Sequence, residues 1–276
     1  MDRKIIVAKS AGFCYGVERA IGIVKDEVAK GKKVYTFGPI THNETVVEEL
    51  ADMGVGIINN TDELDKIKNA TIVIRSHGVG QDVYKAIEES GNKIVDATCR
   101  FVKKIHRIVD EKTSSGIFTV IIGDPEHPEV KGICSRCNGL WRVINSTRDA
   151  QLFASENDRD IAVVSKTTYD THIFEVLVEI LSNMRYNVNV VNTICNATEI
   201  RQRETRELAK NSDAMIVVGG KHSSNTRKLF EISREQCENT YYIQTHVDLD
   251  LSAFKSFRCV GITAGASTPK TIIKEV

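Results

Sequence analysis

Short apolar runs alternate along this chain with stretches whose apolar positions recur at helical spacing. Val34-Tyr-Thr-Phe37, Ile72-Val-Ile74, Val120-Ile-Ile122, Ala162-Val-Val164, Ile216-Val-Val218 and Val260-Gly-Ile262 are brief and rich in β-branched residues, which predicts strands. Between them, patterns such as Val17-Ala20-Ile21-Val24 and Val102-Ile105-Ile108-Val109 predict amphipathic helices. Strands and helices in strict alternation predict an α/β fold built on parallel sheets.

The pattern repeats at domain length. Cys14, Cys99 and Cys195 each open a helix, and after each helix a strand ends in glycine before a polar loop: Gly38 then His42, Gly123 then His127, Gly219 then His222. A later strand of each unit runs into Ser76-His77, Lys166-Thr167 or Ala266-Ser267. In the first two units one more strand then delivers the next cysteine, as Ile94-Val-Asp-Ala-Thr-Cys99 and Val190-Val-Asn-Thr-Ile-Cys195. The third unit lacks that strand, and Lys4-Ile-Ile-Val7 before Cys14 has the missing form. The repeat, about 90 residues long, is too long for a solenoid and fits small domains. It predicts three α/β lobes around a pseudo-threefold axis: 14–98, 99–194, and 195–276 completed by an N-terminal strand within 1–13. Ligands of open parallel sheets lie beyond the carboxyl ends of the strands, where the Cys, His and Ser/Thr residues of all three units fall.

Composition narrows the chemistry. The 37 basic and 37 acidic side chains cancel, so overall charge predicts neither a nucleic-acid nor a membrane partner, and an anion needs a local site. The apolar run at the amino terminus is too short for a secretion signal or a membrane span, which predicts a cytoplasmic protein. Seven cysteines without an export signal point to metal or catalytic duty for some of them. A thiolate at a helix amino terminus meets free backbone N–H groups and the positive end of the helix dipole. Three such thiolates on one axis suit three corners of a [4Fe–4S] cluster and leave its fourth iron open to substrate; zinc held by three thiolates and a water is the alternative. Cys134 and Cys137 form a single C-x-x-C without a second pair and read as structural filler, and Cys237 and Cys259 carry no assigned role.

The remaining candidates bind anions or move protons. A lone histidine usually satisfies a core hydrogen bond, yet His42, His77 and His127 all follow strand ends, where imidazole can hold phosphate oxygens or pass protons. Gly219-Gly-Lys-His-Ser-Ser-Asn225 and Gly265-Ala-Ser267-Thr-Pro269 offer hydroxyls, an amide and backbone N–H groups ahead of helices, with Pro269 expected in a first turn. In His127-Pro-Glu129, a carboxyl group raised in pKa by burial could deliver a proton for reductive C–O cleavage, relayed by Thr167. There is no dinucleotide fingerprint and no P-loop, so electrons are expected from an outside protein, one at a time.

Taken together, Gly12-Phe-Cys14-x-Gly16-Val, His42-Asn-x-x-Val-Val, Ser76-His-Gly-Val, Asp96-Ala-Thr-Cys99, His127-Pro-Glu-Val130, Thr193-Ile-Cys-x-Ala-Thr198, Ser223-Ser-Asn225 and Thr263-Ala-Gly-Ala-Ser267 resemble the 4-hydroxy-3-methylbut-2-enyl diphosphate reductase family, also called LytB. The resemblance spans nearly the whole chain. It implies a [4Fe–4S] oxidoreductase that converts a small allylic alcohol diphosphate into isopentenyl and dimethylallyl diphosphates, closing the methylerythritol phosphate route to isoprenoids. By motif position it implies Cys14, Cys99 and Cys195 as cluster ligands and His42, His77, His127, Ser223, Ser224, Asn225 and Ser267 at the diphosphate. Glu129 becomes the proton source, helped by Thr167, and the outside donor a ferredoxin or flavodoxin. Two departures stand out: Lys166 occupies a place where glutamine is expected, and the chain ends sooner after Ser267 than many relatives. Two other readings compete with this one, a quinolinate-synthase-like three-cysteine dehydratase and a non-catalytic zinc or phosphate-binding module.

Overall fold

The computed structural model describes residues 4–153, 160–184 and 186–276, so residues 1–3 of the expected N-terminal strand region lie outside the described residues. In chain order the elements are β1 (Lys4–Val7), α1 (Tyr15–Ala29), β2 (Val34–Phe37), α2 (Glu44–Asp52), β3 (Gly56–Ile58), β4 (Thr71–Ile74), α3 (Gln81–Glu89) and β5 (Lys93–Asp96). They continue with α4 (Arg100–Ser114), β6 (Phe118–Ile122), α5 (Pro128–Cys134), β7 (Trp141–Ile144), α6 (Thr147–Gln151), β8 (Asp160–Ser165), α7 (Thr171–Ser182) and β9 (Asn187–Val190). The last are α8 (Asn196–Lys210), β10 (Ala214–Val218), α9 (Ser224–Gln236), β11 (Thr240–Ile243), β12 (Cys259–Ala264) and α10 (Lys270–Glu275), with short 3₁₀ turns between some of them.

The strands form three four-stranded sheets, in the orders β3-β2-β4-β5, β7-β6-β8-β9 and β11-β10-β12-β1. Every pairing is parallel. The third sheet is completed from the other end of the chain: Lys4 pairs with Cys259 and Val7 with Ile262. In all three sheets, therefore, the last position belongs to the strand that leads into a cysteine.

The second and third strands in each order are buried along their length, β4, β6 and β10 without exception. This is why they read as continuous apolar runs: helices cover both faces of a parallel sheet. The pleat divides the second sheet's side chains, Val120 and Ile122 packing with Phe174 and Leu177, and Ile121 with Ile105, Val109 and Ile133 on the opposite face. The first sheet buries Ile58, Ile72 and Ile74 against Ile87, and the third buries Ile216, Val218 and Ile262 against Ile272.

The chain gathers into two compact units. One comprises the chain up to Glu18, Thr41–Met53 and Asn196–Val276, and holds the third sheet with α2; the other comprises Arg19–Ile40 and Gly54–Cys195, and holds the first two sheets. Pro269 differs slightly from expectation. Its backbone is extended and it precedes α10 as the cap residue, because the ring fixes φ near the helical value while ψ remains extended.

Candidate functional site

Each candidate cysteine sits where a strand has ended and a helix begins. Cys99 is the extended N-cap residue of α4, and Cys14 and Cys195 immediately precede α1 and α8. One hydrogen bond recurs at all three. The backbone N–H of Cys14 donates to Ala266 O (3.0 Å), that of Cys99 to Ser76 O (3.0 Å), and that of Cys195 to Thr167 O (2.9 Å). Each acceptor lies in the loop after the neighbouring strand, at or beside Ser267, His77 and Thr167. The repeat read from sequence thus ties each cysteine to a candidate substrate residue through the same contact.

Side chains that the sequence did not single out hold these loops in place. In the first unit Glu204 of α8 accepts from the N–H groups of Lys9 (2.7 Å) and Ser10 (2.8 Å) and from the Ser10 hydroxyl (2.5 Å). Burial raises its pKa, but these donors win and hold the carboxyl below its ordinary value. The guanidinium of buried Arg201 donates to Ser10 O (2.6 and 3.0 Å) and to Gly12 O (2.7 Å). Gly12 has φ +100°, and a Cβ there would come within 3.3 Å of Thr268 O, so the approach to Cys14 needs glycine. In the other unit Arg19 of α1 donates to Ala97 O (3.3 Å) and Thr98 O (3.5 Å), just before Cys99. Asp96 accepts from Thr98 N–H (2.8 Å), and Asn192 accepts from Ile194 N–H (3.0 Å), so matching Asx turns lead to Cys99 and Cys195. The signal for Arg201 and Glu204 lies in α8, a helix polar on every side that must nevertheless bury one of them.

The first unit also brings His42, the 219–225 loop and Ser267 into one neighbourhood. A Cβ on Gly220 would lie 2.0 Å from His42 O, and one on Gly265 would lie 2.0 Å from Thr226 Oγ1, so both loops close on their neighbours only as glycine. Ser223 is the N-cap of α9: its Oγ accepts from Thr226 N–H (3.2 Å) and from the Thr226 hydroxyl (2.9 Å). With both lone pairs used, its own O–H remains to donate. Among the described residues, the buried Thr41 Oγ1, Asn43 Nδ2, Asn225 Nδ2 and Ser267 Oγ have no hydrogen-bond partner. Asn225 and Ser267 were expected at an anion, whereas Thr41 and Asn43 were missed beside His42. Asn43 reads as a helix cap, and it is one, since its Oδ1 accepts from Val46 N–H (3.2 Å), yet its amide NH₂ is left over.

In the second unit His77 and His127 come together, their rings 5.9 Å apart and edge to face. His127 caps α5, its Nδ1 accepting from Glu129 N–H (3.1 Å), which leaves the proton on Nε2. Glu129 is fully buried, and Thr167 engages both of its oxygens: N–H to Oε1 at 2.6 Å and hydroxyl to Oε2 at 3.0 Å. Burial pushes the Glu129 pKa up, against the pull of the Thr167 N–H, the Lys166 charge and the Thr167 hydroxyl. Lys166 is itself buried and donates to Thr168 Oγ1 (3.0 Å), so this chain keeps a cation next to its candidate acid.

The other cysteines are of a different kind. Burial raises the Cys134 thiol to about 11 and the Cys137 thiol to about 12, and it also raises Cys237. Cys134 and Cys137 pack beside Ile105, Val109 and Ile133. None of the seven cysteines is in a disulfide. Among the described residues no three His, Cys, Asp or Glu side chains stand as one metal ion would require. No described helix is long and apolar enough to cross a membrane.

Comparison with known proteins adds independent findings. The family model described as LytB protein matches residues 5–276. The chain is similar to a 4-hydroxy-3-methylbut-2-enyl diphosphate reductase of Alkaliphilus oremlandii, 42% identical over 99% of this chain and 97% of the relative. It is also similar to one of Aquifex aeolicus, 40% identical over 99% and 94%. A solved structure of (E)-4-hydroxy-3-methyl-but-2-enyl diphosphate reductase, the terminal enzyme of the non-mevalonate pathway, superposes with a TM-score of 0.72 at 40% identity, covering 99% of this chain and 97% of that one. The fold is shared with a Plasmodium falciparum diphosphate reductase at a TM-score of 0.94 and 24% identity, over 99% and 86% of the chains.

Proposed function

This chain belongs to the LytB family, and on that premise we propose that it reduces (E)-4-hydroxy-3-methylbut-2-enyl diphosphate to isopentenyl and dimethylallyl diphosphates. In this reading it is the oxidoreductase that ends the methylerythritol phosphate route. The observation that carries the site assignment is the backbone hydrogen bond repeated at Cys14, Cys99 and Cys195, each beside a residue suited to the substrate.

The donor set fits an iron–sulfur cluster. The three cysteines occupy equivalent strand-to-helix junctions, while burial keeps Cys134, Cys137 and Cys237 as protonated thiols. Zinc held by the same three thiolates and a water is the alternative donor arrangement. Cys14, Cys99 and Cys195 would hold the [4Fe–4S] cluster, which when bound passes electrons to the substrate and offers its open iron as a Lewis acid.

The protein's own residues do the rest. His42, His77, His127, Ser223, Ser224, Asn225 and Ser267 bind the diphosphate, and the Asn225 Nδ2 and Ser267 Oγ groups, unpartnered among the described residues, supply the donors. The reaction takes up two electrons and two protons, breaks the allylic C–O bond and releases water. Glu129, protonated because it is buried, gives a proton to the departing oxygen. Thr167 orients that acid: with the proton on Oε2, the 3.0 Å contact lets the acid donate to the Thr167 hydroxyl, which passes its own proton on. Electrons come from a ferredoxin or flavodoxin. The three sheets support lobes bounded at 14–98, 99–194 and 195–276 with 1–13, and seven cysteines with no disulfide suit the reducing cytoplasm.

The test is anaerobic assay of the purified protein with the allylic diphosphate and a chemical reductant. Consumption of about two electrons per product with loss of the hydroxyl supports the proposal. Dehydration without net oxidation of the reductant favours the quinolinate-synthase-like reading, and a colourless protein that binds diphosphate without turnover favours the non-catalytic one.

A further inference from the structure

The chain has no net charge, yet its charge is unevenly placed on the helix that Cys99 opens. Between Cys99 and Asp110, α4 carries Arg100, Lys103, Lys104, His106 and Arg107 and no acidic residue. Arg100, Lys103, Lys104 and Arg107 are exposed, and their spacing of three and four residues puts them on one face of the helix. Beside this face lies a cavity of about 500 Å³ lined by Arg100, Lys103, His106, Arg107 and Arg136. Asp96 is the one acid in that lining, and Lys103 already neutralises it at 2.6 Å. Among the described residues, two buried nitrogens here, His106 Nε2 and Arg136 Nε, have no hydrogen-bond partner. His106 is more than nine-tenths buried.

We propose that this face of α4, with its cavity, is the docking surface for an acidic one-electron carrier protein, which delivers electrons next to Cys99. The inference rests on the reading of Cys99 as a cluster ligand. Three observations favour this occupant. The exposed side chains from Arg100 to Arg107 make this face predominantly positive, as expected for steering a carrier of the opposite sign. The cavity lining adds the Arg136 guanidinium to these charges, a partner for carboxylate side chains of the carrier. Finally, the face begins one residue from Cys99, so a docked carrier has a short path to the cluster. Each carrier docks reduced, gives one electron and leaves oxidised; two dockings supply the two electrons that, with two protons, turn the allylic alcohol into product and water.

The experiment uses the cluster-loaded protein and a ferredoxin with a negatively charged surface. Affinity is measured by calorimetry from low to high salt, and turnover with the reduced ferredoxin is compared with turnover on dithionite-reduced methyl viologen. In the double variant Lys104→Glu/Arg107→Glu we expect affinity to fall at least about tenfold at low salt and its salt dependence to flatten. Ferredoxin-driven turnover falls in parallel, while viologen-driven turnover is unchanged. The control Lys32→Glu, also an exposed lysine, changes none of these. Unaltered ferredoxin affinity in the double variant, with viologen turnover intact, overturns the docking proposal. Absence of iron or of viologen-driven turnover in the parent protein instead overturns the cluster reading on which it rests.

Discussion

In the unit that holds the first two sheets, Glu129 has both oxygens bonded to Thr167 at 2.6 and 3.0 Å. In the unit that holds the third sheet, Asn225 Nδ2 and Ser267 Oγ are buried with no partner among the described residues, as are Thr41 Oγ1 and Asn43 Nδ2 near His42. The contrast separates two tasks. A proton donor must be fixed in place and kept protonated, and bonding plus burial achieve both at some cost to ionisation. An anion cradle must keep its donors unspent until the ligand arrives, and each buried unpaired polar group costs roughly 1–3 kcal/mol of stability meanwhile. On the proposed assignment, one half of the chemistry is preorganised by satisfied bonds and the other by unsatisfied ones.

The comparison can be broken most sharply at Glu129. Glu129→Gln keeps the shape and loses the proton, so turnover should fall by ~10²-fold or more with KM little changed. Equal loss in KM would move Glu129 from proton delivery to binding. Next comes Ser267→Ala, which deletes an unpartnered hydroxyl. It should raise KM for the allylic diphosphate about tenfold while leaving thermal stability unchanged or higher by about 1 kcal/mol. A clear loss of stability would mean that Ser267 holds the fold and not the anion. The smallest effect belongs to Lys166→Gln. The Lys166 charge lowers the Glu129 pKa, so removing it raises that pKa and keeps the acid protonated to higher pH. The alkaline limb of the kcat profile should shift upward, and a downward shift would give Lys166 another role.

Much of this was legible in the sequence, for identifiable reasons. The buried strands β4, β6 and β10 announce themselves as apolar runs because both faces of their sheets are covered. That an N-terminal strand completes the third sheet followed from one missing strand in the repeat, and the structure pairs it with β12. What could not be read is polar burial. Arg201, Gln202 and Thr205 of α8 look like a solvated face but are all buried, and Arg201 grips the loop before Cys14. Hydrophobic periodicity has no signal for a helix that buries charge in order to hold a loop. Nor does it show that α2 joins the unit of the third sheet while the strands on either side of it do not.

The proposed chemistry depends on three thiolates sharing one cluster. The direct measurement is iron and sulfide content, with Mössbauer spectra, of the anaerobically purified protein and its single cysteine-to-serine variants. The account predicts about four irons and four sulfides per chain, one iron responding to substrate, and loss of the cluster in Cys14→Ser, Cys99→Ser and Cys195→Ser but not in Cys134→Ser or Cys237→Ser. Iron content that is equally insensitive, or equally sensitive, to all five substitutions would contradict it.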